Sequence, residues 1–498
     1  MTHADSSEHG GRRLIGSALL TSVSTFAVMA SGGFFAILAA WLFSSRSVTD
    51  GFFVAYAAYT IPILLAQSMR TTIVPRLAED PRRLERFLAG SVILFGLFGV
   101  AFVIFGGAVA DAFTDGRATN GSASLALALL WPAVGAQLFA GAGCAMLAVY
   151  DDFRRPAVAY GVGSVCANIA LVSLASPLGE QALSISVTLG SIVTATIVGF
   201  ALSRHGWRAR LAWRAAPQSA WAILFAAIPV MLAQGIFLIS IVSAKRLGEG
   251  AQTVYSYGYS AHQVVFAVLA SSVATVFVAV ISSDREASPL ELTPHIRAAF
   301  RTGLIPLVVI VVGVAALGGS IGRLALPSRS SDEIDAMVRV FLGLVPAVVF
   351  GQAGAIPLVA LFARRRYGVV VLLSAGVTAL HVGMTVGLVR LGGGVGSLAV
   401  VASISSGLLA ASLFVALFGR HAGRVALGLG RDFGVIFVIA LACSALTAGI
   451  VAVMGGSARF GLVGGVPLVL IAASRLPEYR ELFARARTGL GSQGATRA

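Results

Sequence analysis

Arg70, Arg154 and Arg155 toward one side and Lys245 and Arg246 toward the other are the cations near the ends of long apolar runs best placed to hold an anion at a membrane. A guanidinium offers planar donors that bind two phosphate oxygens at once, whereas an ammonium acts as a point charge. Arg70 stands within a turn or two of the end of FFVAYAAYTIPILLAQSM, where the alternative is that it snorkels to the interface. Asp50 opens the same run. Its carboxylate can cap the helix N-terminus and favour its dipole, or meet a cation across a gate. Gln137, Asn168, Gln234 and His262, with Gln263, Gln352 and His381, lie inside apolar runs. Such groups bind sugar hydroxyls or hydrogen-bond one helix to another.

The elements that must position these residues follow from composition. With 57% hydrophobic and 11% charged residues over 498 positions, the chain has too little polar surface for a water-soluble fold of this size. The expected class is an all-α integral membrane protein. A formal charge of +15 raises the question of nucleic acid, but the arginines are scattered between apolar runs and build no basic face. Cys144, Cys166 and Cys443 fall within apolar runs, with no CxxC pair and no histidine at metal-ligand spacing, and read as small core residues. No GxxxxGK[ST] loop is present and the loops are too short for a catalytic domain, so neither a cofactor nor an enzyme activity is expected.

Apolar stretches long enough to cross about 30 Å of hydrocarbon recur to give fourteen candidate spans. They start near residues 14, 50, 86, 123, 156, 180, 219, 253, 297, 336, 367, 394, 432 and 457. The first, from about Leu14 to Phe43, follows Arg12 and Arg13 like a signal peptide but lacks a small-residue cleavage site, and is expected to remain as a span. Placing the N-terminus in the cytoplasm puts 27 of the 36 Lys and Arg residues on that side, which agrees with the positive-inside rule. Arg154, Arg155 and Arg364 to Arg366 then read as cytoplasmic anchors, while Lys245 and Arg246 lie outside against the trend. Ser31, Gly32, Gly33, Pro62, Pro132, Pro229 and Pro346 mark breaks or kinks, and GGGVG at Gly392 reads as a turn.

TDGFFVAYAAY at Thr49 lies over QTVYSYGYSAH at Gln252 at an offset of about 203, and TTIVPRLAED lies over TVFVAVISSD. Each copy occupies the first two helices of a six-span block in the same orientation. The expected organisation is a cytoplasmic tail 1–13, an N lobe 14–203, a cytoplasmic linker 204–218, a C lobe 219–420, two further spans within 432–475 and a cytoplasmic tail 476–498. Parallel repeats of this kind build transporters whose lobes rock about a site between them.

Three stretches carry a family resemblance. TDGFFVAY with Pro62, Leu64, Leu65 and then VPRLAE resembles the second-helix signature of the MurJ (MviN) lipid II flippases, in the multidrug/oligosaccharidyl-lipid/polysaccharide exporter superfamily. MLAVYDDFRRPAVAYGVGSVCANIA is similar to that family's fourth-to-fifth helix junction, and LFARRRYG to its tenth-helix exit. Asp50 matches the family's acidic residue. The chain departs from the pattern where the family carries arginines: ASGGFFAILAAW in the first helix, Ala66 and Gln67 in the second, and Ser260 in the eighth.

The resemblance implies a cell-membrane flippase for an undecaprenyl-diphosphate-linked cell-wall glycan, with that lipid and the bilayer as partners and cell-wall synthesis proteins as candidate ones. Arg70, Lys245 and Arg246 would then be the cations for the diphosphate. Outward movement of two negative charges across an inside-negative membrane gains roughly 5 kcal/mol per 100 mV. Two other readings stay open. A drug or cation antiporter of the superfamily usually needs a mid-membrane carboxylate, and no Asp or Glu lies near mid-span. A non-transporting scaffold would have an apolar, closed lobe interface.

The division of arginines predicts that both termini face the cytoplasm. Single cysteines introduced at either end, in a chain lacking its own three, should react with a membrane-impermeant maleimide only after permeabilisation; labelling of intact cells would reverse the topology.

Overall fold

The computed structural model describes residues 31–43, 46–72, 77, 80, 83–114, 120–150, 152, 154–207, 211–248, 250–266, 290–291, 293–327, 329–364, 366–435 and 438. Hydrocarbon supplies no partners for backbone N–H and C=O groups, so apolar chain crosses it as helix. The first lobe contains α1 (Ser31–Leu42) and α2 (Arg46–Thr72). Next comes α3 (Arg83–Gly99), prolonged by a π turn, Val100–Ile104, into α4 (Gly106–Thr114). It ends with α5 (Asn120–Val149), α6 (Arg154–Leu178) and α7 (Gln181–Arg204). The second lobe contains α8 (Ala216–Ala244), α9 (Ala251–Phe266) and α10 (Thr293–Ala325). It closes with α11 (Ser331–Ala363), α12 (Tyr367–Arg390) and α13 (Val395–Phe418).

Among the described residues the structure is helical throughout, and seven stretches are long and apolar enough to cross a membrane. Pro62, Pro132 and Pro346 sit inside α2, α5 and α11. Ser31, Gly32 and Gly33 form the first turn of the described part of α1. Gly392 takes φ +75° just after α12, a conformation glycine adopts without steric cost. Helix α11 starts with a reciprocal cap: Ser330 Oγ accepts from the Glu333 N–H at 3.3 Å while Glu333 Oε2 accepts from the Ser330 N–H at 3.2 Å. Cys144 is buried and Cys166 half-buried; Cys443 lies outside the described residues.

The repeat is visible in which helix packs on which. In the first lobe α2 packs on α5, α5 on α7, α6 on α7 and α3 on α5. In the second, α9 packs on α11, α11 on α13, α12 on α13 and α10 on α11. Equivalent contacts use glycine where backbones approach. A Cβ on Gly141 of α5 would lie 2.5 Å from the Ala66 carbonyl oxygen of α2; one on Gly258 of α9 would lie 2.9 Å from the Met337 oxygen of α11. Neither backbone can turn aside, so only hydrogen fits.

Helix α8 joins the lobes. Its first half, through Ala220, Ile223 and Ala227, belongs to the core built on Leu84, Phe87 and Leu88 of α3. Its second half, through Ile236, Ile241 and Ala244, packs with Leu398, Ala399 and Ala402 of α13. An apolar cluster spans both lobes: Ala36, Ala39 and Ala40 of α1, with Phe52 and Phe53 of α2, meet Val254 and Tyr257 of α9 and Met337 of α11. Phe53 and Tyr257 contact edge to face, with ring centroids 5.3 Å apart.

The thirteenth span was expected to begin near residue 432. Ahead of it, after a 3-10 turn at Gly419–His421, a helix that the sequence reading did not assign covers residues 422–435. Ala422, Val425 and Leu429 recur at helical spacing and are buried against the core that contains Phe414 and Leu417. Arg424 and Arg431 stay exposed, so this polar-flanked turn of helix escaped a search for continuous apolar sequence. Asp432 receives a bidentate ion pair from Arg297, Nε and Nη2 each at 2.9 Å, tying the start of α10 to this segment. The remainder of 432–475 lies outside the described residues.

The Gly141 contact predicts that Gly141→Ala destabilises the protein by about 1–3 kcal/mol through overpacking. Gly161→Ala on α6, whose Cβ would meet nothing within 4 Å, should be neutral or stabilising. Thermal unfolding of the purified variants checks this, and equal midpoints would contradict the packing described.

Candidate functional site

Between the helices of each lobe lies one cluster of uncharged polar side chains, near the middle of its helices. In the first lobe, Gln137 of α5 donates through Nε2 to Ser191 Oγ of α7 at 3.1 Å. Its Oε1 accepts from the Tyr160 hydroxyl of α6 at 3.4 Å. The Tyr59 hydroxyl of α2 joins at Ser191 Oγ, 3.3 Å away. In the second lobe, Gln234 of α8 accepts through Oε1 from the Tyr259 hydroxyl of α9 at 3.3 Å, and Gln263 donates to the same hydroxyl. Each lobe therefore holds a glutamine–tyrosine pair, and both pairs are only half-buried. Gln137 and Gln234 each stand at about the midpoint of a helix of 30 or 29 residues.

Tyr56 and Tyr259 occupy equivalent places in the repeat, on helices α2 and α9 that pack against each other across the lobes. Gly33 of α1 lies so close to α9 that a Cβ there would meet Val264 Cγ2 at 3.3 Å. Amide and phenol groups of this kind bind hydroxyls and amides, and the aromatic rings beside them suit the apolar faces of sugars.

Other polar residues are committed to holding helices together. Asn168 of α6 donates through Nδ2 to Ser31 of α1, at 2.6 Å to Oγ and 3.2 Å to the carbonyl, and to the Ser164 carbonyl at 3.1 Å. At the equivalent place in the second lobe, His381 of α12 lies 3.1 Å from Ser240 Oγ of α8 and 2.9 Å from Ser405 Oγ of α13. A neutral imidazole donates to one of these hydroxyls and accepts from the other. Both ties are of the kind that replaces water inside a membrane. His262 differs. It is buried and packed between the rings of Phe237, Tyr259 and Phe266, and neither ring nitrogen has a hydrogen-bond partner.

The expected cations are dispersed. Asp50 lies near the start and Arg70 near the end of α2, and their side chains are outside the described structure. Lys245 is buried in the 3-10 turn Lys245–Leu247 that ends α8, while Arg246 beside it is exposed. Sequence reasoning missed Arg329. It is only 8% exposed, its Nε and Nη2 have no partner, and it follows Leu326 of the apolar cluster between the lobes. Its one sequence signal was its place among the few basic residues assigned to the external side.

The family profile described as "Lipid II flippase MurJ" matches residues 17–466. No curated protein sequence matches the chain. A solved structure named "Lipid II flippase MurJ, inward closed conformation" superposes with a TM-score of 0.71 at 17% identity, covering 93% of this chain and 100% of that one. A transporter of the multidrug and polysaccharide exporter superfamily from Pyrococcus furiosus has a TM-score of 0.64 at 16% identity, covering 82% and 96%. A MATE transporter solved in complex with MaL6 has a TM-score of 0.62 at 15% identity, covering 83% and 97%.

The two histidines predict opposite responses to phenylalanine. His381→Phe leaves Ser240 and Ser405 without their partner and should lower stability by about 1–3 kcal/mol. His262→Phe keeps the ring packing and removes two unpaired nitrogens, so its thermal midpoint should match or exceed the parent's. Equal losses in both variants would show that His262 has a partner of its own.

Proposed function

Because the chain belongs to the family of MurJ lipid II flippases, which its profile matches over residues 17–466, we propose that it carries an undecaprenyl-diphosphate-linked cell-wall glycan precursor from the inner to the outer leaflet. Transport proceeds by alternating access, the two lobes rocking about a site between them in a plasma membrane with both termini cytoplasmic. The observation that carries this reading is the half-buried glutamine–tyrosine pair in each lobe, Gln137–Tyr160 and Gln234–Tyr259, at mid-membrane depth. These four side chains offer donors and acceptors to a hydroxyl-rich head group in the region where it is costliest to leave such a group unsolvated. A scaffold has no need of accessible polar groups there. An antiporter needs a carboxylate to carry its ion, and the clusters contain amides, phenols and a hydroxyl instead.

The diphosphate still requires positive charge. Arg70 at the cytoplasmic end of α2 meets the cargo first, and Lys245 or Arg246 meets it at the external ends. Asp50, near the start of α2, serves as a gating carboxylate for a cation of the other lobe. Proteins of cell-wall synthesis are the natural partners on either side.

A flipping assay with the purified protein in liposomes and defined lipid-linked sugars tests the assignment. Arg70→Ala should slow transport about tenfold or more, the effect of one lost charge-assisted contact. Arg70→Lys should keep part of the rate because charge survives without the planar fork. Arg365→Ala, at an expected membrane anchor, should leave the rate near the parent's. Parental transport in the Arg70→Ala variant would remove Arg70 from the site.

A further inference from the structure

At the cytoplasmic ends of α6 and α7, away from both polar clusters, a cavity of about 450 Å³ is lined by Arg154, Arg155, Arg204 and Asp152 above and by Val158, Ile197 and Phe200 below. The arginines are not equivalent. Arg155 Nη1 lies 2.8 Å from Asp152 Oδ2 and 2.8 Å from His205 Nε2, and His205 stacks on Tyr150 with centroids 4.6 Å apart. That group fastens the end of α5 and the start of α6 to the end of α7, and it satisfies both Asp152 and Arg155.

Arg154 and Arg204 are left over. Arg154 is exposed at the first residue of α6, and Arg204 lies over the Phe200 ring, 4.6 Å from its centroid. Neither has a carboxylate partner among the described residues. Two unneutralised guanidinium groups therefore face a cavity whose lower wall is apolar and, at Val158 and Phe200, open to the surroundings of the helices. The positive-inside count places this mouth at the cytoplasmic head-group layer.

We propose that this cavity binds an anionic glycerophospholipid of the cytoplasmic leaflet, with its phosphate between Arg154 and Arg204 and its acyl chains along Val158, Ile197 and Phe200. Two unneutralised guanidinium groups favour a lipid of net negative charge over a zwitterionic one. Guanidinium forks match phosphate oxygens, and an aromatic ring under Arg204 holds one fork in place. Basic recesses between transmembrane helices on the cytoplasmic side are sites where lipid head groups settle. The apolar wall continues along exposed Val162, Val165 and Ile169 of α6 and Ile192 of α7, the outer face of these helices, which makes the occupant a resident lipid and not the transported one. A lipid held there would fix the depth of the first lobe while the second moves.

Native mass spectrometry of the full-length protein in detergent, with dioleoylphosphatidylglycerol added, tests this. The wild type should retain that lipid in preference to dioleoylphosphatidylcholine. Arg154→Ala with Arg204→Ala should weaken retention about twenty-fivefold, or about fivefold per arginine. The double lysine variant should keep an intermediate occupancy, and supports the site even if the alanine variant fails to fold. Arg390→Ala, at the far end of α12, should bind as the wild type does. Undiminished binding in the double alanine variant, equal binding of phosphatidylcholine, or full displacement by soluble glycerol phosphate would overturn the proposal. Displacement by undecaprenyl phosphate at lower concentration than by phosphatidylglycerol would reassign the cavity to the cargo and equally overturn it.

Discussion

Hydrocarbon accepts no hydrogen bonds, so every polar group in this protein must find a partner inside the protein or be held ready for a polar cargo. The backbone solves the problem locally by forming helices. The side chains solve it between helices, and two of these ties are equivalent in the repeat: Asn168 ties α6 to Ser31 of α1, and His381 ties α12 to Ser240 of α8. These ties join the first and fifth spans of each lobe, so each lobe is pinned at the same place by different chemistry. Polar groups that are hydrogen-bonded yet keep accessible surface include Gln137, Tyr160, Gln234, Tyr259 and Gln263, while His262 and Arg329 are exceptions, buried with unpartnered nitrogens.

Two lobes built alike can exchange partners at their common interface. Where α1 and α2 face α9 and α11 they meet through rings and aliphatic groups, Phe52, Phe53, Val254, Tyr257, Leu326 and Met337, which separate without breaking hydrogen bonds between the lobes. A seal of salt bridges would have tied opening to the breaking of ion pairs. Helix α8 packs its two halves on different lobes, so a relative rotation must be accommodated along it.

Much of this was legible in the sequence because it is written in period and composition. Long apolar runs gave the helices, prolines 62, 132 and 346 fell inside them, and Gly392 fell at a turn. The offset of about 203 between Thr49 and Gln252 anticipated the matched packing of α2 on α5 and α9 on α11. Partnership was not legible. His262 and His381 look alike as lone histidines in apolar runs, yet one has two serine partners and the other has only rings. Arg155 reads as a membrane anchor, and its link to Asp152 and His205 depends on α7 ending beside α6, 50 residues later. The helix over 422–435 is flanked by charge, so its buried stripe of Val425 and Leu429 carried no membrane signal.

The most direct test is to lock this seal between the lobes. In a chain whose three cysteines are replaced by alanine, Phe53→Cys and Tyr257→Cys introduce a thiol pair across the lobes. If the lobes alternate, joining the pair with a short bifunctional thiol reagent stops lipid export, while each single variant treated the same way continues to transport. Export at the uncrosslinked rate with the pair fully joined would contradict alternating access through this interface.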